Sequence, residues 1–151
     1  MRLALYEPDI AGNVGTLIRL GACLGVGLDL IEPMGFPFGA RSLARAGMDY
    51  ARSADVARHV DWATFVAAVP ARIVLLTTRN GATPLFDAAF RSDDTLLLGS
   101  EGAGVPERVH ARADLAVRVP MRPGLRSLNV AVAGAIVLGE ALRQVGGWPG
   151  G

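Results

Sequence analysis

The chain has 151 residues, with 15 basic and 14 acidic side chains, a formal net charge of +1 and 51% apolar residues. That length suits one domain with one core, since two independent cores would each fall near the lower limit for stable folding. A charged fraction of 19% excludes a disordered, solvating chain, and the near-zero balance excludes a globally basic nucleic-acid binder.

Any contact with RNA or DNA must therefore come from a local patch. The 15 Lys-plus-Arg positions are all arginine. Without lysine there is no phosphate-loop lysine, no Schiff-base chemistry and no lysine general base. A single cysteine, Cys23, has no partner for an internal disulfide, and with two histidines it is too little for a structural zinc site. The expectation is a reducing, cytoplasmic compartment and no metal. Mean hydropathy is +0.35, which raises the question of a membrane. The longest uncharged stretch near the C-terminus, between Arg126 and Glu140, is 13 residues, whereas a span needs about 20. Acids by Glu7 leave no apolar run long enough for a signal peptide.

Short apolar runs alternate with helix-like segments in chain order. Leu3 to Tyr6 is a compact buried-strand pattern, stopped by Glu7-Pro8. Asn13 is then expected to cap a helix through about Leu24, with Leu17, Leu20 and Leu24 at three-to-four-residue spacing. Leu28 to Ile31 reads as a second strand, closed by Glu32-Pro33. Arg41 to Met48 reads as a short basic helix and Trp62 to Val69 as another, ended by Pro70. Ile73 to Leu76 and Thr95 to Leu98 are continuous apolar strands of the kind found in parallel sheets covered on both faces. Pro106 can open a brief helix, Leu115 to Val119 is the last strand, and Ser127 to Val145 the final helix. This alternation predicts an α/β fold with a mostly parallel sheet flanked by helices. A single domain over 1–145 and a frayed tail over 146–151 follow.

In open α/β sheets ligands sit in loops at the carboxyl ends of strands. Four such loops are rich in residues a packed core does not need. The first, Glu7 to Asn13, leads into a helix carrying Arg19; it can equally be an ordinary strand–turn–helix with a solvated arginine. The second, Thr77-Thr78-Arg79-Asn80-Gly81, can be a plain polar turn. The third, Gly99-Ser100-Glu101-Gly102-Ala103-Gly104, has three glycines in six residues, which lets backbone N–H groups approach a ligand. Its G-x-x-G-x-G spacing is not the dinucleotide fingerprint, and without lysine it is no Walker loop. The fourth runs from Val119 to Asn129. Ser127 can cap the last helix, while Asn129 interrupts an apolar helix face and, if buried, needs partners. Small residues downstream (Ala131, Ala133, Gly134, Ala135, Gly139) permit close helix approach, within the chain or between subunits.

Asn13 with Arg19, GSEGAGVP and VPMRPGLRSLNVA together resemble the three ordered motifs of the SPOUT superfamily of RNA methyltransferases. EPDIAGNVGTLIRLGACLG, LIEPMGF and the RAGMDY of Arg45 to Tyr50 are similar to the small TrmL type, and the match runs almost from Met1 to Val145. The resemblance implies a tRNA 2′-O-methyltransferase acting on the wobble ribose at cytidine or uridine. It also implies a C-terminal trefoil knot, which connection rules alone would have argued against. S-adenosylmethionine would bind in the knot's loops, at Leu76, Thr77, Gly99, Gly104, Val119, Met121 and Ser127. Asn13, Arg19, Glu101, Ser127 and Asn129 match the positions associated with substrate ribose and catalysis. Relatives often carry a polar pair where this chain has Ala131-Val132, and an aromatic where it has Gly139. The first departure touches pocket hydrogen bonds and the second the packing of the last helix.

Neither His59 nor His110 lies in the three motifs, and Arg19 is always protonated, so no base is evident. Arg19 instead suits an RNA phosphate and a developing alkoxide; the proton can go to Glu101, a phosphate or water. Arg41, Arg45, Arg52 and Arg58 form one basic run, and Arg118, Arg122 and Arg126 another beside the cofactor loop. Arg41, Arg45, Arg122 and Arg126 are the expected RNA contacts, and both runs can equally be solvated faces. A chain without a separate RNA-binding domain is expected to act as a homodimer that clamps an anticodon arm. Two other readings compete. One is a catalytically silent knotted RNA-binding or assembly module, kept open by Ala131-Val132. The other is a small dehydrogenase-type enzyme, disfavoured by the missing fingerprint.

Overall fold

In the computed structural model, which describes residues 1–39, 41, 50 and 53–150, seven strands form one sheet. The strands are β1 (Arg2–Tyr6), β2 (Gly27–Ile31), β3 (Val56–His59), β4 (Ile73–Leu76), β5 (Thr83–Pro84), β6 (Thr95–Leu98) and β7 (Leu115–Arg118). The helices are α1 (Ala11–Leu24), α2 (Trp62–Ala68), α3 (Glu107–Arg112) and α4 (Val130–Val145). Spatial order is β3-β2-β1-β6-β4-β7-β5, with every pairing parallel. The α/β architecture expected from the apolar runs is therefore present. The short basic helix expected from Arg41 to Met48, and the Arg45 and Arg52 assigned to its surroundings, lie outside the described residues apart from Arg41, which is exposed.

Side chains alternate across each strand, so a run that is apolar at every position fills both faces. Leu3, Leu5, Leu28, Leu30, Leu96 and Leu98 pack with α1 and α4 on one face. Ala4, Tyr6, Ile31, Ile73, Leu75 and Leu97 pack on the other against Phe65 of α2 and Val109 of α3. Ion pairs tie neighbouring strands to one another. Arg72 donates to both carboxylate oxygens of the fully buried Asp94 at 2.8 and 2.7 Å. Asp29, 2% exposed, takes Arg2 Nε at 2.6 Å and pairs with His59 Nε2 at 2.8 Å.

Two helix starts differ from expectation. Asn13 is not the cap of α1: the helix begins at Ala11, its cap position is Ile10, and no side chain caps it. Asn13 is buried on the inner face, where its amide has tertiary partners that outweigh the cost of Asn in a helix interior. Ser127 does not cap α4 either. Asn129 does, its Oδ1 accepting from Ala131 N at 2.9 Å and Val132 N at 3.2 Å. Asn129 thus stands at the helix start, not on its apolar face.

At the end of α1 the chain turns back through Gly25, in the left-handed conformation at φ 68°, and Val26 N donates to Gly21 O at 2.9 Å. A Cβ on Gly21 would collide with the Val26 carbonyl. Backbone has little room to give in a packed turn, so Gly21→Ala should cost about 1–3 kcal/mol. A urea unfolding midpoint equal to the parent's would show that α1 does not seat there.

Candidate ligand cavity and its hydrogen-bonded frame

Strands β1, β6, β4 and β7 are consecutive neighbours in the sheet. Their carboxyl-end loops are therefore placed side by side, and these are the four loops singled out from composition. They enclose a cavity of about 680 Å³, within the range of roughly 300–1,000 Å³ usual for small-molecule sites. Leu76, Thr77, Gly99, Gly104, Val119, Met121 and Ser127 all line it, as do Asn13, Glu101 and Asn129. Arg126 reaches the same wall; Arg122 borders an adjoining hollow. Arg19 is not brought to the cavity. It stands exposed on α1, its guanidinium 4.8 Å from the Tyr50 ring centroid.

One chain of hydrogen bonds ties the loops together. Glu101 Oε2 accepts from Asp9 N at 2.7 Å and Oε1 from Asn13 Nδ2 at 3.0 Å. Asn13 Oδ1 in turn accepts from Asn129 Nδ2 at 2.9 Å, and Asn129 Oδ1 caps α4. Asp9 returns the contact by accepting Gly102 N at 3.1 Å. The two asparagine amides are thereby oriented by their partners. The Asn13 amide, with donor and acceptor on one carbon, serves both the carboxylate and the second asparagine.

The glycine loop needs its glycines sterically. Ser100 and Gly104 exchange backbone hydrogen bonds at 3.0 and 2.9 Å, closing a tight hairpin. A Cβ on Gly99 would lie 2.7 Å from the Gly104 carbonyl carbon, and Gly104 itself is at φ 65°. A flat, open wall results, where backbone groups can meet a planar ring. Leu76, Leu98, Val117 and Val119 supply apolar surface opposite. Backbone groups and apolar side chains on these walls suit a nucleoside, while Glu101, Arg79 and Arg126 are the charged groups of the lining.

Two titratable residues of the lining went unassigned in the sequence. Arg79 and His110 sit on the wall formed by the β4 loop and α3, with Arg79 Nη1 2.8 Å from Glu107 Oε2. His110 is one turn beyond Pro106, on the helix that continues the glycine loop, and that spacing was the available signal. Burial, reinforced by the Arg79 charge and opposed by Glu107, holds the His110 imidazole below its ordinary pKa. Asp9 was inside the first loop but without a role; only the fold shows it against Gly102.

This is the site of a ligand-binding α/β protein with a parallel sheet and a glycine-walled cavity at its carboxyl edge. The chain belongs to the SpoU rRNA methylase family, whose model matches residues 1–139. It is 56% identical over 147 residues to a tRNA (cytidine(34)-2′-O)-methyltransferase of Beijerinckia indica, covering 95% of this chain and 91% of that protein. The Escherichia coli K12 protein of the same name is 40% identical, with 99% and 96% covered. A solved structure concerned with 2-OH methylation of C/U34 on tRNA superposes with a TM-score of 0.89 at 42% identity, covering 95% and 94%. The SpoU methyltransferase AviRb of Streptomyces viridochromogenes, in complex with the cofactor AdoMet, gives 0.80 at 27% identity, covering 95% of this chain and 60% of that one. No described helix is long and apolar enough to cross a membrane. Among the described residues, no group of three His, Cys, Asp or Glu could hold a metal ion.

Two measurements test the frame. Asn13→Leu removes both bonds and should cost about 0.5–1.5 kcal/mol for each, since the half-buried Glu101 and exposed Asn129 can turn to water. An unchanged unfolding midpoint would remove the bond chain from any structural role. For His110 the sign follows from its lowered pKa. The folded state favours the neutral ring, so stability from this group is full above the ordinary imidazole range and is lost as pH falls below it. His110→Gln should flatten that acid-side decline in a melting-temperature series.

Proposed function

We propose that the protein transfers a methyl group from S-adenosylmethionine to the ribose 2′-hydroxyl of the wobble nucleotide, cytidine or uridine, of a tRNA. The observation that carries this reading is the cavity, in which every expected cofactor residue meets the Glu101–Asn13–Asn129 frame. The cofactor supplies an electrophilic sulfonium methyl. Leu76, Val119 and the backbone of Gly99 and Gly104 would hold its adenosine, with Thr77, Met121 and Ser127 at its edges. Methyl transfer is an in-line displacement, so the protein's first task is to hold oxygen and carbon at about 3–3.5 Å. In this reading Glu101 is an anchor: both its oxygens already hold Asp9 N and the Asn13 amide. Ser127, exposed at the cavity mouth, is free to meet a ribose, and the exposed Asn129 has only its second amide N–H left to donate.

Arg19 lies six residues beyond Asn13 on α1, which is about 9 Å along the axis and on another side of the helix. To act on the ribose it must come from a second copy of the chain. That is the place of the homodimer in this reading. Exposed apolar residues favour it: Val132 and Ile136 lie one turn apart on α4, close to Leu128 and Ile10 of the cavity rim. Its two sets of Arg41, Arg45, Arg122 and Arg126 would clamp the anticodon arm. Residues 1–145 form the methyltransferase domain in this reading, with the last stretch threaded as a knot and 146–151 as a tail. The cytoplasm is where its substrate would be met.

The test is methyl incorporation from labelled S-adenosylmethionine into tRNA lacking wobble methylation, with the product nucleotide mapped. Label should appear at the wobble 2′-hydroxyl and fall at least a hundredfold in Arg19→Ala. Arg19→Lys should recover little, because a point charge does not replace a fork on phosphate. Folded protein that binds the cofactor and labels no tRNA would overturn the reading and favour the silent RNA-binding module.

A further inference from the structure

Beside the main cavity lies a second hollow of about 180 Å³, bordered by the turn after β4 and the loop after β7. Three arginines converge on it, Arg118, Arg122 and Arg126, joined by Asn80 and Thr78. Among the described residues, none of these three guanidiniums lies within ion-pairing distance of a carboxylate. Arg2, Arg58, Arg72, Arg79, Arg112 and Arg143 do, whereas Arg19 and Arg108, which stand away from the hollow, meet the ring of Tyr50 and the hydroxyl of Tyr6. Three like charges gathered without a counter-charge repel one another and gain from an anion between them.

The hollow is also shaped by backbone. Arg122-Pro123-Gly124-Leu125 is a turn in which Leu125 N donates to Arg122 O at 3.3 Å and Gly124 takes φ 85°. Pro at the second place and Gly with positive φ at the third fit a type II turn. It holds Arg122 and the 66% exposed Leu125 at fixed places on the rim. Arg118 is steadied from the side by Nε donating to Ala82 O at 3.2 Å, which leaves its terminal nitrogens uncommitted. The turn that composition left as a plain polar connection thus supplies Asn80 and Thr78 to a built surface.

We propose that this hollow seats the RNA phosphodiester next to the methylated nucleotide, with Arg118 and Arg122 as forks and Asn80 and Thr78 as neutral donors. The proposal deepens the methyltransferase reading and rests on its assignment of RNA as substrate. Position supports it, since the hollow shares Thr78, Val119, Met121 and Arg126 with the main cavity. A strand whose ribose enters one would lay its neighbouring phosphate over the other. Charge supports it as well. The cofactor carries one carboxylate beside two cationic groups and does not call for three arginines, whereas a polyanion does.

The experiment compares tRNA binding by fluorescence anisotropy across salt concentrations for the parent chain, Arg122→Gln, Asn80→Asp and Arg143→Gln. Binding of S-adenosylhomocysteine by calorimetry is measured on each as a check of folding and of the cofactor site. Arg122→Gln should weaken tRNA about 5- to 20-fold and lower the salt slope by about 0.7–1, the share of one phosphate contact. Asn80→Asp should weaken it through an added negative charge. Arg143→Gln, whose arginine pairs with Glu140 far along α4, should change little. S-adenosylhomocysteine affinity should stay within about twofold throughout. Unchanged tRNA affinity and slope in Arg122→Gln would overturn the proposal. So would a parallel loss of S-adenosylhomocysteine, which would give the hollow to the cofactor's carboxylate. Inorganic phosphate that binds the parent tightly, and Arg122→Gln not at all, would make it a small-anion site and also overturn it. If tRNA binds as expected but no methyl is transferred by the parent, the function reading fails while the phosphate site stands.

Discussion

The contact on which the rest depends is the Asn13 amide, held between Glu101 and Asn129. It joins segments 88 and 116 residues away in sequence through two side-chain hydrogen bonds. The glycines of the loop have no side chains with which to hold its shape, and they lose the most entropy on ordering. Here the loop's own Ser100–Gly104 hairpin is anchored to the first helix through Glu101 and the Asp9–Gly102 bond. The same asparagine fixes the start of α4, because the Asn129 that caps the helix is the Asn129 that donates to Asn13. Glycine wall, first helix and last helix are therefore one mechanical unit. A polar chain of this kind is stabilising only when complete, since a half-satisfied member leaves a buried group without a partner.

Much of the sheet was legible because its central strands are apolar at every position, and a short run of that kind between turn residues fits a strand buried on both faces. Leu3 to Tyr6, Ile73 to Leu76 and Thr95 to Leu98 are found as strands within a residue of expectation. The strands that escaped are at the edges. Val56–His59 carries an arginine and a histidine, and Thr83–Pro84 is two residues long with a proline. Edge strands face solvent on one side and can dispense with the apolar run, so periodicity has nothing to detect.

The cavity was legible in its parts and illegible in its assembly. Composition marked four loops, but only the order β1-β6-β4-β7 makes them neighbours. Local rules misassigned Asn13 and Ser127 for one reason: a polar residue near a helix start reads as a cap. Asn13 is spent on tertiary contacts instead, and Asn129 fills the cap position two residues after Ser127. Capping preference is worth about 1 kcal/mol, which two partly buried hydrogen bonds from one amide can match or exceed. Where the residues departed from the resembled pattern, the fold offers one compensation. The Trp148 ring lies 3.7 Å from where a Gly139 Cβ would stand, so an aromatic covers that helix face from the tail.

A net charge of +1 gives no hint of how unevenly the chain distributes its arginines. At the amino ends of the strands they are matched, Arg2 with Asp29 and Arg72 with Asp94, on carboxylates that are almost wholly buried. Truncating one partner there would strand a charge in the core, so those pairs are fixed by the fold. Around the loops at the carboxyl ends the matching is partial: Arg58 pairs with Glu32 and Arg79 with Glu107, while Arg118, Arg122 and Arg126 face the rim of the cavity without carboxylates. Spread evenly, the same fifteen arginines would give no local field. Segregated, they leave positive potential at one edge of an otherwise neutral molecule. Burial of the carboxylate partner thus distinguishes the arginines that hold the fold together from the three at the cavity rim left free for an anion.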